Sequence, residues 1–407
     1  MSVVEEFRRI AQRHDRCFWL DGGGSQPWSS KRSIVGGLAD DDLSLTYDAV
    51  RREVVEHPSG RVVGDDVFAV LQDLQDGDPD TNWVGYFGYA ARPDLPAPSM
   101  PGVPDAVWMR CRDVRVVEEG RVPQEPLGRG EGPTTAPPRW YATAFAAVQD
   151  QLRAGNSYEV NLTYRATQDS THDPVGVYGR MRATNPAPYA GVLRHGDTWL
   201  LSASPERFAT IDRHRRVEAR PIKGTTPRGA TLETDEALRH SLATDPRFRA
   251  ENLMITDLLR NDLSIVCEPG TVEVPHLMEV ESYASVHQLV TTVRGRLRDG
   301  IGTVDALRAL FPAGSMTGAP KLRTMQIIEA VEDSPRGIYS GAFGWISGDG
   351  RADLGVVIRS VFRSGDGPWL LGTGGGITVH SRPDTEWAET EWKAARLRSA
   401  LGTDGPG

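Results

Sequence analysis

The amino-acid sequence predicts an α+β fold, in which strands and helices occur in separate runs. Alternating apolar residues predict consecutive strands at 157–167, 189–194, 198–203 and 206–211. Apolar residues at helical spacing then predict helices at 233–243, 247–260, 303–310 and 318–331. Because strands and helices do not alternate regularly, a doubly wound parallel sheet is not expected, and no repeat of fixed period is present.

The N-terminal part begins with a predicted helix over 1–14 and a short apolar strand over 17–20. This strand ends at the glycine triplet of residues 22–24. Residues 83–89 alternate glycines with aromatic residues and predict a strand in which glycines allow close backbone packing. We interpret this strand as structural.

Two proline-rich stretches, 93–104 and 123–138, flank a predicted strand pair at 105–118. We therefore place a boundary near residue 138, between an N-terminal region (1–138) and a larger region (139–407). The larger region opens with a predicted helix over 141–153, stopped by a glycine. Its later part adds strands at 338–346, 353–362 and 368–373, and a long helix from about Pro383 to Leu401.

The composition restricts the possible partners of the chain. A net charge of −9 argues against nucleic acid and acidic membranes, so an anionic substrate must meet local positive charge. No run of about 18 apolar residues exists to span a membrane, and the N-terminus is not a signal peptide. Three cysteines without C-x-x-C spacing suit a reducing compartment. These features predict a soluble, cytoplasmic protein with a 39% hydrophobic content sufficient for a large core.

Residues 221–229 form the segment that best predicts chemistry. Prolines at 221 and 227 stiffen the segment, and Gly224 and Gly229 allow the backbone to turn and approach a ligand. Lys223 is expected on a loop that follows a strand and to point into a cleft. An isolated Lys-Gly pair is more often a surface turn, so the interpretation depends on the surrounding motifs.

Six motifs occur in order between residues 204 and 390. They are SPERF (204–208), PIKGTTPRG (221–229), AENLMITDLLRND (250–262), FPAGSMTGAPK (311–321), GTGGGI (372–377) and EWAET (386–390). On these motifs the chain resembles the chorismate-utilising enzymes. The resemblance implies large, mainly antiparallel sheets with helices packed outside and an active site in a cleft.

The resemblance also implies a reaction. Lysine at 223 is typical of the branch that leads to p-aminobenzoate and folate, whereas the anthranilate and isochorismate branches carry alanine there. It implies that Lys223 adds at C2 of chorismate while the 4-hydroxyl leaves, and that ammonia then adds at C4 and expels the lysine. Glu206 matches the general acid for the leaving hydroxyl. Because only a neutral lysine attacks, we expect its site to depress the pKa of Lys223.

A divalent cation is expected with the dicarboxylate substrate. Glu386 and Glu389 are three residues apart on a predicted helix and therefore face one side. Carboxylates in small number, with the substrate supplying further oxygens, suit Mg²⁺. The resemblance implies that Glu251 and Glu389 ligate Mg²⁺ and that Glu386 contacts it through water.

Further residues match the substrate site of the family. Arg359 matches the carboxylate-binding arginine, and the N–H groups of a glycine run are predicted to form an anion nest. His287 is kept as a residue behind the substrate. The predicted substrate-binding residues are Arg359, Tyr339, Thr317, Gly374, Gly375, Gly376, Lys393 and His287.

Two positions depart from the family pattern. Glu159 stands where amination-type relatives carry glutamine and water-adding relatives lysine, which leaves a role in handling the proton of ammonia open. The glycine triplet at 22–24 departs from the pocket that binds tryptophan in some relatives, so amino-acid regulation is not carried over.

No cysteine lies in a Gly-x-Cys-x-Gly segment, so a separate glutamine amidotransferase subunit, or free ammonia, is the expected nitrogen source. The alternatives are addition of ammonia at C2, as in the anthranilate and aminodeoxyisochorismate branches, and a chorismate-binding subunit without catalysis.

Overall fold

The structure is a computed structural model that describes residues 2–22, 32–112, 114–118, 136–283 and 286–402. Helices of these ranges are, in chain order, α1 Val3–Arg13, α2 Val67–Asp73, α3 Arg139–Arg153, α4 Pro174–Thr184, α5 Leu232–Thr244, α6 Pro246–Val266, α7 Thr303–Leu310, α8 Lys321–Val331 and α9 Pro383–Leu401. Several ends follow local rules: Ser2 caps α1 in a capping box, and a proline begins α4, α6 and α9.

The strands contain many β-branched, aromatic and glycine residues and form two sheets. In chain order they are β1 Arg16–Asp21, β2 Arg32–Gly37, β3 Ser44–Asp48, β4 Glu53–His57, β5 Arg61–Gly64, β6 Asn82–Phe87, β7 Ala106–Cys111, β8 Arg115–Glu118, β9 Glu159–Gln168, β10 Tyr189–His195, β11 Thr198–Ser204, β12 Arg207–Ile211, β13 Arg216–Arg220, β14 Ile222–Pro227, β15 Glu273–Ser282, β16 Val286–Arg296, β17 Gly318–Ala319, β18 Ala342–Ser347, β19 Ala352–Val356, β20 Ser360–Ser364 and β21 Trp369–Ile377.

Both sheets are antiparallel at the pairings described. The first sheet has nine strands in the order β17-β9-β21-β20-β11-β10-β1-β2-β8. The second has twelve, in the order β14-β16-β13-β12-β19-β18-β6-β7-β3-β4-β5, with β15 paired to β16. The predicted α+β class with large antiparallel sheets is therefore confirmed.

The two sheets face each other across one apolar core. Phe18 and Leu200 of the first sheet belong to the same buried cluster as Tyr86 and Phe343 of the second. Polar contacts join the sheets as well, for example the hydrogen bond that the Tyr189 hydroxyl on β10 donates to Asp353 on β19 over 2.8 Å. The apolar area removed from water between the sheets is the main force that holds them together.

The chain crosses between the sheets at two neighbouring points. Pro205 and Glu206 connect β11 of the first sheet to β12 of the second, and residues 357–359 connect β19 back to β20. Backbone bonds join the two crossings, from the Val356 N–H to the Glu206 carbonyl (3.0 Å) and from the Ala203 N–H to the Arg359 carbonyl (3.2 Å). Glu206 and Arg359 therefore stand at one place between the sheets.

Strands from both sides of residue 138 pair in each sheet. In the first sheet β1 pairs with β10, and in the second β6 pairs with β18. The regions 1–138 and 139–407 thus share both sheets, and the division between them stays a prediction. The glycine triplet beyond Gly22 and most of the predicted linker at 123–138 lie outside the described residues.

Most predicted elements occur, and three are different in detail. The strands at 105–118 are not a pair, because β7 lies in the second sheet and β8 in the first. The predicted strand at 353–362 is broken at the crossing before β20. The start of the predicted helix at 318 is instead the short strand β17. Within the described ranges, no helix is both long and apolar enough to cross a bilayer.

Gly85→Ala should destabilise the fold without touching the cavity described below. A Cβ at this position of β6 would come within 2.0 Å of the Val107 carbonyl and 2.8 Å of the Trp108 Cα, both backbone atoms that cannot rotate away. We expect the free energy of unfolding to fall by about 2 kcal/mol or more, measured by urea denaturation. The matched control is Gly179→Ala in α4, where nothing lies within 4 Å of the new Cβ and alanine favours the helix. Equal stability of the two variants would contradict this account of β6.

Candidate active site

A cavity of about 620 Å³ opens between the ends of the two sheets. Strands β14 and β21, helices α6 and α9, and the two chain crossings form its walls. All but two of the predicted site residues line it: Glu206, Lys223, Glu251, Tyr339, Arg359, Gly374, Gly375, Gly376, Glu386, Glu389 and Lys393. Residues up to 187 positions apart in the chain, from Glu206 to Lys393, are thus brought to one site.

Thr317 and His287, the other two predicted residues, do not line this cavity. Thr317 is fully buried, and its hydroxyl donates to the Ala313 and Gly314 carbonyls. His287 is also buried and lies between Ser282 (2.8 Å) and Asp235 (3.0 Å). Both side chains satisfy their polar groups within the protein, and a role in substrate binding stays a prediction for each.

Lys223 lies in a strand, and not on the predicted loop. Strand β14 pairs with β16, and its register shifts between Ile222 and Thr225. Gly224 in this irregular stretch has φ of +99°, a conformation that side chains rarely adopt. The bulge directs Lys223 into the wall of the cavity, where it is 7% exposed.

The Lys223 ammonium donates a hydrogen bond to the Glu159 carboxylate, and the two side chains form a buried ion pair. Burial opposes the charge on lysine, but Glu159, Glu251 and Glu206 outweigh burial and raise the pKa of Lys223. The expectation of a depressed pKa is therefore wrong for this structure. The pKa is raised because Lys223 contacts Glu159, and the sequence did not predict this contact.

Glu206 has the properties of a general acid. Its side chain is 5% exposed, and one carboxylate oxygen accepts a 2.5 Å hydrogen bond from the Ser315 hydroxyl. Burial raises the pKa of Glu206 to about 7, although Ser315 and Lys223 act in the opposite direction. A carboxyl group with this pKa is partly protonated near neutral pH and can donate a proton.

Three further carboxylates share the cavity. Burial first, and then the neighbouring carboxylates, raise the pKa values of Glu251 and Glu386 to about 7. Glu389 is 52% exposed towards the cavity and pairs with Lys393 at 2.7 Å, which lowers the pKa of Glu389. The carboxylates in this cavity repel one another, and a divalent cation bound between them would offset that repulsion.

The described part of the chain contains no group of three or more His, Cys, Asp or Glu side chains close enough to hold a metal ion. Mg²⁺ commonly takes only one or two protein carboxylates and completes its shell with water and substrate oxygens. Glu251, Glu386 and Glu389 therefore fit Mg²⁺ by their chemistry, without forming a complete cage.

Positive charge for an anionic ligand comes from Arg359 and Lys393. The Arg359 guanidinium lies over the Trp392 ring, 5.3 Å from its centre, and has no ion pair or hydrogen bond among the described residues. Arg359 itself has φ of +51°, an uncommon conformation for a residue other than glycine. Lys393 donates to the Gly374 carbonyl over 2.8 Å in addition to its pair with Glu389. Of the two cations, Arg359 and Lys393, the Arg359 guanidinium is therefore the one that is available to bind a substrate carboxylate.

The glycine run does not form the predicted anion nest. Gly374, Gly375 and Gly376 lie in strand β21, paired with β9, and none has a positive φ. Their function in the structure is to leave space. A Cβ at Gly376 would come within 2.0 Å of a Glu159 carboxylate oxygen and 3.2 Å of the Lys223 nitrogen.

The cavity wall also contains residues that the sequence analysis did not assign to the site, among them Ser315 and Asn161. Ser315 stands within the FPAGSMTGAPK motif, two residues before Thr317, and its hydrogen bond to Glu206 gives it a function. The motif therefore contains a cavity residue, Ser315, in addition to the predicted Thr317.

A sequence profile of the chorismate binding enzymes matches residues 124–399. The chain belongs to this family. The match covers every residue of the cavity wall named above. The fold and the cavity are therefore those of a chorismate binding enzyme.

Individual relatives agree with the family. The chain is 50% identical over 267 residues, 66% of its length, to an aminodeoxychorismate synthase of Streptomyces griseus, and 37% identical over 94% of its length to one of Streptomyces pristinaespiralis. It covers 37% and 61% of those two proteins, and so spans less than two thirds of either. Among solved structures, anthranilate synthase component I of Streptococcus pneumoniae superimposes with a TM-score of 0.75 at 25% identity, over 92% of this chain and 93% of that one.

Proposed function

We propose that the chain converts chorismate and ammonia to 4-amino-4-deoxychorismate, the reaction named for its Streptomyces relatives. The observation that carries this proposal is the presence of Lys223 and Glu206 in one cavity. A lysine supplies a nucleophile and a carboxyl group with a pKa of about 7 supplies a proton. Both are needed to exchange a hydroxyl group for an amine through a covalent intermediate.

Binding of the substrate precedes the chemistry. Chorismate carries two carboxylates, and Arg359 offers an unpaired planar guanidinium that can hold one of them in two hydrogen bonds. Lys393 adds a second cation close by. The strand glycines leave room for the ring beside Lys223.

The covalent chemistry consists of two successive substitutions on the ring. The neutral Lys223 nitrogen forms a bond to C2 of the ring, the double bonds shift, and the C4–O bond breaks. Glu206 gives its proton to the departing oxygen, which leaves as water. Ammonia then forms a bond to C4, the C2–N bond breaks, and its electron pair returns to the lysine nitrogen.

Glu251 and Glu389 would hold Mg²⁺, with Glu386 behind a water molecule. When bound, the ion would supply positive charge for the substrate carboxylate and offset the three negative side chains. The raised pKa values of Glu251 and Glu386 support this assignment, because each carboxylate costs free energy to ionise in the empty cavity.

Glu251→Gln should raise the Mg²⁺ concentration needed for half-maximal turnover at least ~10-fold, because the amide has no charge to hold the ion. Titration of activity against Mg²⁺ at saturating chorismate measures this. The matched control is Asp257→Asn on the same helix, where the carboxylate is exposed and pairs only with Arg260. An unchanged Mg²⁺ requirement in the Glu251 variant would remove Glu251 from the ligand set.

Ammonia is proposed to come from a glutamine amidotransferase partner. Cys17, Cys111 and Cys267 are all buried, and burial raises the pKa of each thiol, so they lack the reactive thiolate of a glutaminase. Ammonium salts at high concentration should then replace the partner in the assay.

The test is incubation of the chain with chorismate, Mg²⁺ and ammonium, followed by mass spectrometry. We expect a product that 4-amino-4-deoxychorismate lyase converts to p-aminobenzoate. Anthranilate, or an isomeric product that the lyase leaves unchanged, would favour addition at C2, which the likeness to anthranilate synthase makes the second candidate. Absence of any product would favour a chorismate-binding subunit without catalysis.

A further inference from the structure

Glu159 lies directly behind Lys223 and outside the cavity wall. It is the first residue of β9, is fully buried, and pairs through its backbone with Ala319 of β17. Its Oε1 atom accepts the hydrogen bond from the Lys223 ammonium, and its buried Oε2 atom has no hydrogen-bond partner among the described residues. The absent side chain of Gly376 leaves the space that this pair occupies.

The other charges around the pair are also mostly negative. Helix α6 presents Glu251, helix α9 presents Glu386, Glu389 and Lys393, and the crossing before β12 presents Glu206. These negative groups favour the protonated form of Lys223, and Glu159 is the carboxylate that accepts a hydrogen bond from its ammonium. A nucleophilic lysine must therefore lose its proton inside the site.

We propose that Glu159 takes the ε-ammonium proton of Lys223 as the lysine attacks the ring and returns it when the amine is released. This inference rests on the proposed function. Glu159 acts through Lys223 and does not touch the substrate, so it is a positioning residue that sets the protonation state of the nucleophile.

The proton balance closes over one turnover. Glu159 carboxylate and Lys223 ammonium become a carboxylic acid and a neutral amine. The amine adds at C2, and the proton of Glu206 leaves with the hydroxyl as water. After ammonia adds at C4, the lysine departs as a neutral amine and takes its proton back from Glu159. The net reaction consumes chorismate and ammonium and yields the 4-ammonium product and water, once solvent reprotonates Glu206.

Burial favours such a transfer. Two opposite charges held out of water each carry a desolvation cost, which a neutral amine and carboxylic acid do not. The neutral pair is therefore closer in free energy to the ion pair here than in water. The proton moves along an existing hydrogen bond between the two side chains.

The experiment compares the pH dependence of 4-amination by the wild type and Glu159→Gln at saturating chorismate, Mg²⁺ and ammonia. The amide keeps the shape of the side chain and accepts a hydrogen bond, but it does not take a proton. We expect kcat of the variant to be at least ~10-fold lower at pH 7 and the ratio of the two kcat values to move towards one as the pH rises, because without the Glu159 charge burial lowers the pKa of Lys223 and solvent can remove its proton. The ratio cancels any titration common to both enzymes, including that of Glu206.

Asp262→Asn is the matched control. Asp262 forms the other buried lysine pair of the described chain, 2.8 Å from Lys321, and neither residue lines the cavity. This variant should leave the pH profile unchanged, and thermal unfolding of both variants verifies that they fold. A constant ratio across pH, or a Glu159 variant as fast as wild type at pH 7, would overturn the proposal. Failure of the wild type to form a 4-amino product would instead reject the proposed function.

Discussion

Lys223→Ala should lower 4-amination of chorismate by at least ~10²-fold, the scale expected when a catalytic nucleophile is lost. The cavity itself remains, with Arg359 and Glu206 still on its wall. Because lysine no longer occupies C2, ammonia can add there directly, and 2-substituted products should make up a larger share of the remaining turnover. Mass spectrometry and chromatography of the products measure both effects.

Removal of Lys223 also leaves Glu159 buried without its partner, which destabilises a protein by several kcal/mol in comparable cases. The double variant Lys223→Met with Glu159→Gln removes both charges and controls for this effect. Lys223→Arg keeps the positive charge but cannot form the covalent bond. Undiminished 4-amination by the alanine or arginine variant would mean that Lys223 acts only through its charge or position.

Glu206→Gln should lower kcat by ~10²-fold or more, because the leaving hydroxyl loses its proton donor. In the wild type, the same assignment predicts that kcat depends on pH. Burial raises the pKa of Glu206 to about 7, so the protonated, active acid is present below that pH and is lost as pH rises through it. We expect kcat of the wild type to fall above about pH 7, and the glutamine variant to lack this decrease.

Ser315→Ala supplies the control for the Glu206 assignment. The Ser315 hydroxyl donates to the ionised carboxylate and so lowers the pKa of Glu206. Its removal should move the decrease in kcat to higher pH while leaving the acid in place. A decrease that stays at the same pH in this variant would assign the titration to another group.

The elements that the sequence predicts well are those with strong local signals. Helix α9 begins at Pro383 and ends at Leu401 as predicted, and its period brings Glu386 and Glu389 into the cavity. The other motif residues come together on the two crossings, on β14 and β21 and on the cavity side of α6. They were identified by the resemblance of their motifs to the family.

Pairing between segments that are distant in the chain accounts for the differences between the predicted and the observed structure. Strand β14 forms only because β16, more than sixty residues later, supplies its hydrogen bonds, so Lys223 appeared to lie on a loop. The contact between Glu159 and Lys223 is likewise set by β9 and β14 in different sheets, and it reverses the expected direction of the lysine pKa. Thr317 stands in one of the six motifs and His287 in none, and the side chains of both form hydrogen bonds within the protein.

The position of nitrogen in the product tests the central claim most directly. The chain is incubated with chorismate, Mg²⁺ and ¹⁵N-ammonium, and the isolated product is studied by NMR. Addition of lysine at C2 followed by ammonia at C4 predicts ¹⁵N bonded to C4, with the ring double bonds where they stand in chorismate. A label bonded to C2 would contradict the account, because ammonia would then have taken the place that Lys223 is proposed to occupy.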